Sequence, residues 1–131
     1  NNHIGVPLTL LGLSARHRYA VIEMGASAIG EIGYLCGLAR PDVVLVNNVS
    51  PAHVAGFGSI ENIAKAKGEI YQGVSAEGVA VINLDERYTE QWRASTGARV
   101  LTFSMIDPQA DFTAKRPAVG ESGCYEYCRW S

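Results

Sequence analysis

A chain of 131 residues, 47% hydrophobic and 18% charged, has the size and make-up of one domain with a real core. A formal net charge of −2 argues against a nucleic-acid surface. No apolar run reaches the length of a membrane span, nothing reads as a signal peptide, and the cytoplasm is the expected compartment.

Taken in order, residues 1–5 are a polar loop and 7–13 (PLTLLGL) a short buried helix opened by Pro7. Residues 14–18 make a polar turn. Residues 19–24 (YAVIEM) are predicted to be a strand with Glu23 near its end, and 29–39 an amphipathic helix with Ile29, Ile32, Leu35 and Cys36 inward. Pro41 stops that helix. Residues 43–46 (VVLV) then read as a parallel strand covered on both faces. A loop carrying Asn47, Asn48 and His53 leads through Gly-Phe-Gly to a helix for which Ser59 is the N-cap, with Glu61 in its first turn.

That helix holds the most informative residue. At about 100° per residue, Ile60, Ile63, Ala64, Ile70 and Tyr71 share one stripe, and Lys67 falls in its middle. Lys65 and Glu69 are expected to face solvent. An inward lysine either snorkels, with its stem packed and its ammonium at an edge, or works at a ligand site with its charge paired or altered. Residues 79–84 (VAVINL) give a third strand, 86–95 a polar helix, and 99–103 (RVLTF) a fourth strand. Alternating units of this length predict an α/β fold, a mostly parallel sheet flanked by helices on both faces. Beyond residue 112 no period is legible. Cys36 reads as a buried thiol, and the C-x3-C pair Cys124 and Cys128 has too few nearby ligands to make a zinc site.

Ligands of open parallel sheets bind at the carboxyl ends of the strands. Glu23, Asn47, Asn48, Asn83 and Asp85 are predicted to lie there, with His53 in the following loop and Lys67 facing inward behind it. Each has a plain structural explanation as a turn former or an ion-pair partner. Together, a carboxylate, an imidazole and an inward lysine are the makings of a divalent-metal and phosphate site. The chain contains no G-x-x-x-x-G-K-[ST] phosphate loop, and VIEMGASAIG lacks the G-x-G-x-x-G spacing of a dinucleotide site.

The blocks NNHIGVPLTLL, YAVIEMGAS, GEI, ARPDVVLVNNVSPAH, GFGS, IAKAKGEI and GVAVINLDE, in this order, resemble the central ATPase domain of the Mur ligases. The likeness is to the MurF type, which adds D-alanyl-D-alanine to UDP-N-acetylmuramoyl-tripeptide. It covers residues 1–112, leaving 113–131 as a divergent or irregular tail. The resemblance implies an ATP-dependent acyl-phosphate mechanism in peptidoglycan synthesis. It also implies magnesium held by Glu23 and His53, and a Lys67 that is carbamylated and serves the metal. By the same likeness Asn83 contacts the nucleotide and Asn2 faces its phosphates. Two features depart from the family pattern: Ala55 replaces a frequent acidic residue, and the phosphate loop is not within the sequence. A chain that opens on Asn1 in patterned sequence is expected to be a piece of a longer ligase, inactive by itself. The alternatives are a non-catalytic scaffold module of the same fold, or another Mur or folylpolyglutamate-type ligase.

Overall fold

The computed structural model describes residues 1–51 and 54–113. Two helices come first, α1 (Gly5–Leu11) and α2 (Glu31–Ala39). Strand β1 (Val43–Val46), the short helix α3 (Val54–Phe57) and helix α4 (Ile60–Gln72) follow. The rest alternates: β2 (Val79–Asn83), α5 (Thr89–Ser95), β3 (Arg99–Ser104) and β4 (Phe112–Thr113). Among the described residues the strands form one sheet in the order β1-β2-β3-β4, parallel at every step.

Because that order never reverses, crossovers of one hand lay α4 and α5 on the same face. On that face Val44, Val46, Ala80 and Ile82 are buried against Ala64 and Tyr71 of α4 and Trp92 of α5. The opposite face is open. Val43 is 60% and Leu45 48% exposed, so the expectation that β1 is covered on both faces is corrected. Trp92 is the centre of the core, with its indole N–H donated to the Ala64 carbonyl at 3.2 Å and its ring 5.5 Å from that of Tyr71. Gly68 makes room for it, since a Cβ there would come within 2.6 Å of the Trp92 Nε1 atom.

The predicted strand over 19–24 is not formed. Tyr19 and Val21 stand out in solvent, and the segment makes no ladder to β1. In place of a ladder it has burial: Ile22, Met24 and Ala26 pack on a second core of Val6, Ile32, Leu35 and Cys36, built by α1 and α2. Ile70 of α4 touches both cores and joins them. Helix α1 starts two residues before Pro7 and buries Val6, while Leu8 and Leu11 are exposed; Ile29 is likewise 46% exposed and outside α2.

Candidate functional site

The carboxyl ends of β1 and β2 are tied together through one short piece of backbone, residues 47–49. Three side chains from three elements hold it. Lys67 of α4 donates from Nζ to the Asn48 carbonyl at 2.6 Å. Asn83, the last residue of β2, donates from Nδ2 to the Asn47 carbonyl at 2.7 Å. Glu86, in the turn before α5, accepts the Val49 N–H at 3.0 Å. Lys67 is half-buried, its stem among the α4 residues that face the sheet and its ammonium at the edge. The helical wheel placed it correctly: α4 begins where Ser59 Oγ accepts the Asn62 N–H at 3.1 Å, and that phase turns Lys67 toward the loop.

Asn83 is buried and uses both ends of its amide within the scaffold, for Oδ1 also accepts the Asp85 N–H at 2.9 Å. Asp85 continues the lacing to β3, taking the Ser104 hydroxyl on one oxygen and the Met105 N–H at 2.7 Å on the other. The Ser104 Oγ in turn accepts the N–H groups of Ile106 and Asp107. Among the described residues the strand ends are therefore a rigid rim with its polar groups satisfied.

A second group collects around the start of the chain. The Asn1 nitrogen donates to Glu23 Oε2 at 2.9 Å. The Glu23 side chain is otherwise in solvent. Asn2 Oδ1 accepts the N–H groups of Ile4 and Gly5, at 3.0 and 3.1 Å, and so caps the first turn of α1. Gly25 N–H donates to the Asn1 carbonyl at 2.6 Å. Asn1, Asn2, Gly25, Ala26 and Ser27 line a shallow depression of about 440 Å³. Helix α3 lies near this second group, where a Cβ on Gly56 would sit 3.8 Å from the Ser27 carbonyl oxygen. His53 lies outside the described residues, as do Cys124 and Cys128.

Glu69 corrects its expectation. It is half-exposed but not free: Oε1 accepts the Gly30 N–H at 2.6 Å and Oε2 the Gly33 N–H at 3.0 Å, so α4 grips the N-terminus of α2. Gly30, at φ +96°, sits in the left-handed region that glycine enters freely. Glu31 completes the turn by accepting Ser27 and Ala28 N–H groups. The sequence held one signal for this contact, the run GASAIGEIG, whose amides need acceptors at the start of a helix.

Chemically, the described residues place a carboxylate open to water (Glu23) beside the start of the chain and a cation (Lys67) at the rim. Among them no three His, Cys, Asp or Glu side chains converge as a ready-made metal cluster. A hard carboxylate oxygen open to water fits magnesium, which keeps most of its waters and takes one or two carboxylates beside substrate phosphates. No helix of the described residues is long and apolar enough to cross a membrane.

Comparison with known proteins gives one consistent answer. The family model described as "Mur ligase middle domain" matches residues 1–128. The UDP-N-acetylmuramoyl-tripeptide–D-alanyl-D-alanine ligase of Escherichia coli is 46% identical over 94% of this chain and 27% of its own length. The ligase of the same name from Haemophilus influenzae is 39% identical over 92% of this chain and 31% of its own. Among solved structures, MurF from Acinetobacter baumannii superposes with a TM-score of 0.82 at 34% identity, over 90% of this chain and 26% of that one. MurF ligase from Thermotoga maritima, solved in complex with ADP, gives 0.61 at 30% identity over 82% and 25%. The chain thus spans under a third of the length of each.

Proposed function

The chain belongs to the Mur ligase family through its middle domain, and on that premise we propose that it is the central part of a longer, cytoplasmic MurF-type ligase. The reaction is ATP-dependent addition of D-alanyl-D-alanine to UDP-N-acetylmuramoyl-tripeptide in peptidoglycan synthesis. The observation that carries the reading beyond family membership is Lys67. The residue is half-buried and its ammonium holds the Asn48 carbonyl at the carboxyl ends of β1 and β2.

In the proposed reaction the terminal carboxylate of the tripeptide attacks the γ-phosphorus of ATP, and the bond from that phosphorus to ADP breaks. The dipeptide amine then attacks the acyl phosphate, loses a proton and expels inorganic phosphate as the amide forms. Bound magnesium supplies charge neutralisation to the phosphates. Glu23 and His53 are the residues assigned to hold it, and Asn2 and Asn83 those assigned to the nucleotide's surroundings. Asn2 and Asn83 act there by fixing backbone: the α1 turn beside Glu23 in one case, the Asn47 carbonyl in the other. Lys67 is assigned a carbamate, formed when the neutral amine adds to CO2 and releases a proton. This modification keeps one N–H, enough to continue holding the Asn48 carbonyl, and turns a cation into an anion toward the metal. The rim formed by Asn83, Asp85 and Ser104 keeps the strand ends fixed while these charges change, as pre-organised catalysis requires.

The test is ADP release by the full-length protein that contains this chain. Release is expected only when both UDP-N-acetylmuramoyl-tripeptide and D-alanyl-D-alanine are present. Equal release with either one omitted, or none with both, would overturn the reading. The 131-residue chain by itself is expected to be inactive.

A further inference from the structure

We infer that Glu69 is a positioning residue which sets the Glu23 side of the site against the Lys67 side. The inference rests on the function proposed above. Residues 19–26 are not locked by a sheet ladder, so the turn that follows Glu23 needs another tether. It has several. Burial of Ile22, Met24 and Ala26 beside Ile70 fixes its height over α2, the Asn1 carbonyl takes the Gly25 N–H, Glu31 closes it on itself, and Glu69 ties it by hydrogen bonds to the helix that carries Lys67.

The geometry of that reach is two-pronged. One carboxylate oxygen takes Gly30 N–H and the other Gly33 N–H, which fixes both the distance and the roll of α2 on α4. A carboxylate at a helix N-terminus is also favoured by the exposed amide dipoles there. Glu69 stands two residues after Lys67, so a shift of α2 at this contact changes the separation between the Glu23 turn and the residue 47–49 backbone that Lys67 holds. Glu69 touches neither a reacting group nor a metal donor directly. Its role is exerted through the α2 turn.

The neutral isostere exposes this. In Glu69→Gln one carbonyl oxygen remains for two N–H groups, and the amide NH2 faces the other donor. The experiment uses the full-length protein and Mn2+ as the probe, with free ion read by electron paramagnetic resonance in the presence of ADP. Amide hydrogen exchange is followed at Gly30 and Gly33. Glu69→Gln is expected to lose protection at these amides and to bind Mn2+ roughly 10- to 100-fold more weakly, the usual cost of losing an outer support of a metal site. Glu69→Asp keeps the charge with a shorter reach and is expected to fall between the two; it carries the test if the Gln variant does not fold. Lost protection with wild-type Mn2+ affinity in either variant would leave Glu69 a purely structural tether and overturn the inference. Failure of the wild-type protein to bind Mn2+ with ADP would instead remove the proposed function, and the inference with it.

Discussion

Gly68→Ala is the sharpest test of how α4 is seated. Glycine in the middle of a helix normally costs about 1 kcal/mol against alanine, so propensity alone expects the substitution to stabilise. The structure expects the opposite. A Cβ at position 68 would lie 2.6 Å from Trp92 Nε1 and 2.7 Å from Trp92 Cδ1, well inside van der Waals contact. Trp92 is only 1% exposed and is flanked by Tyr71 and Tyr88, so it cannot swing aside without opening the core. Overpacking of this kind costs about 1–3 kcal/mol. If the indole N–H is pushed off the Ala64 carbonyl, an unsatisfied buried donor adds about 1–3 kcal/mol more. With that donor lost, and less the helix gain, the net loss is about 1–5 kcal/mol. It should appear as a lower midpoint of urea unfolding with an unchanged slope, and as a changed near-ultraviolet circular dichroism signal from Trp92. A midpoint equal to or above wild type would refute the packing described for α4, and with it the placement of Lys67.

Lys67→Ala removes one charge-assisted hydrogen bond at a half-exposed site, so it should cost about 1 kcal/mol of stability. In the full-length protein, under the proposed function, it should lower kcat by about 100-fold or more. A variant that loses stability but keeps turnover would reduce Lys67 to a packing role. Asn83→Ala leaves the Asn47 carbonyl and the Asp85 N–H without their buried partner and should cost about 1–3 kcal/mol, read by thermal unfolding. Burial raises the Cys36 thiol from 9.0 to about 11 and the Tyr71 phenol from 10.0 to about 12, and both therefore favour the neutral form in the folded chain. Their contribution is complete below pH 9.0 and is lost as pH rises, through about 11 for Cys36 and about 12 for Tyr71. Alkaline titration of unfolding should show this fall, and Cys36→Ala should flatten its first part. Tyr71→Phe should flatten the second part and cost about 1–3 kcal/mol, because the hydroxyl accepts Val46 N–H and donates to the Val81 carbonyl between two strands.

The strands of the sheet and the long helix were legible because their signals are local: β-branched runs at 43–46 and 79–83, and a capped amphipathic stretch from Ser59. The same logic found Lys67, since the phase of one helix suffices to aim a side chain. It failed where the outcome depends on what lies alongside. Residues 19–24 have every intrinsic feature of a strand, yet a strand exists only with a neighbour, and Tyr19 and Val21 face water. Glu69 looked like a solvent charge because its partners, Gly30 and Gly33, are backbone amides 39 and 36 residues away. Asn2 and Asn83 were legible as polar groups near the strand ends, but their hydrogen bonds are long-range or turn-specific and leave no mark in composition.

The central claim, acyl-phosphate ligation by the protein that contains this domain, is tested most directly with UDP-N-acetylmuramoyl-tripeptide carrying 18O in its terminal carboxylate. Full-length protein, ATP and D-alanyl-D-alanine are added, and the released phosphate is examined by mass spectrometry. One 18O atom per amide formed is the expected result, since the carboxylate oxygen leaves with the phosphate. Amide formation with unlabelled phosphate would contradict the account.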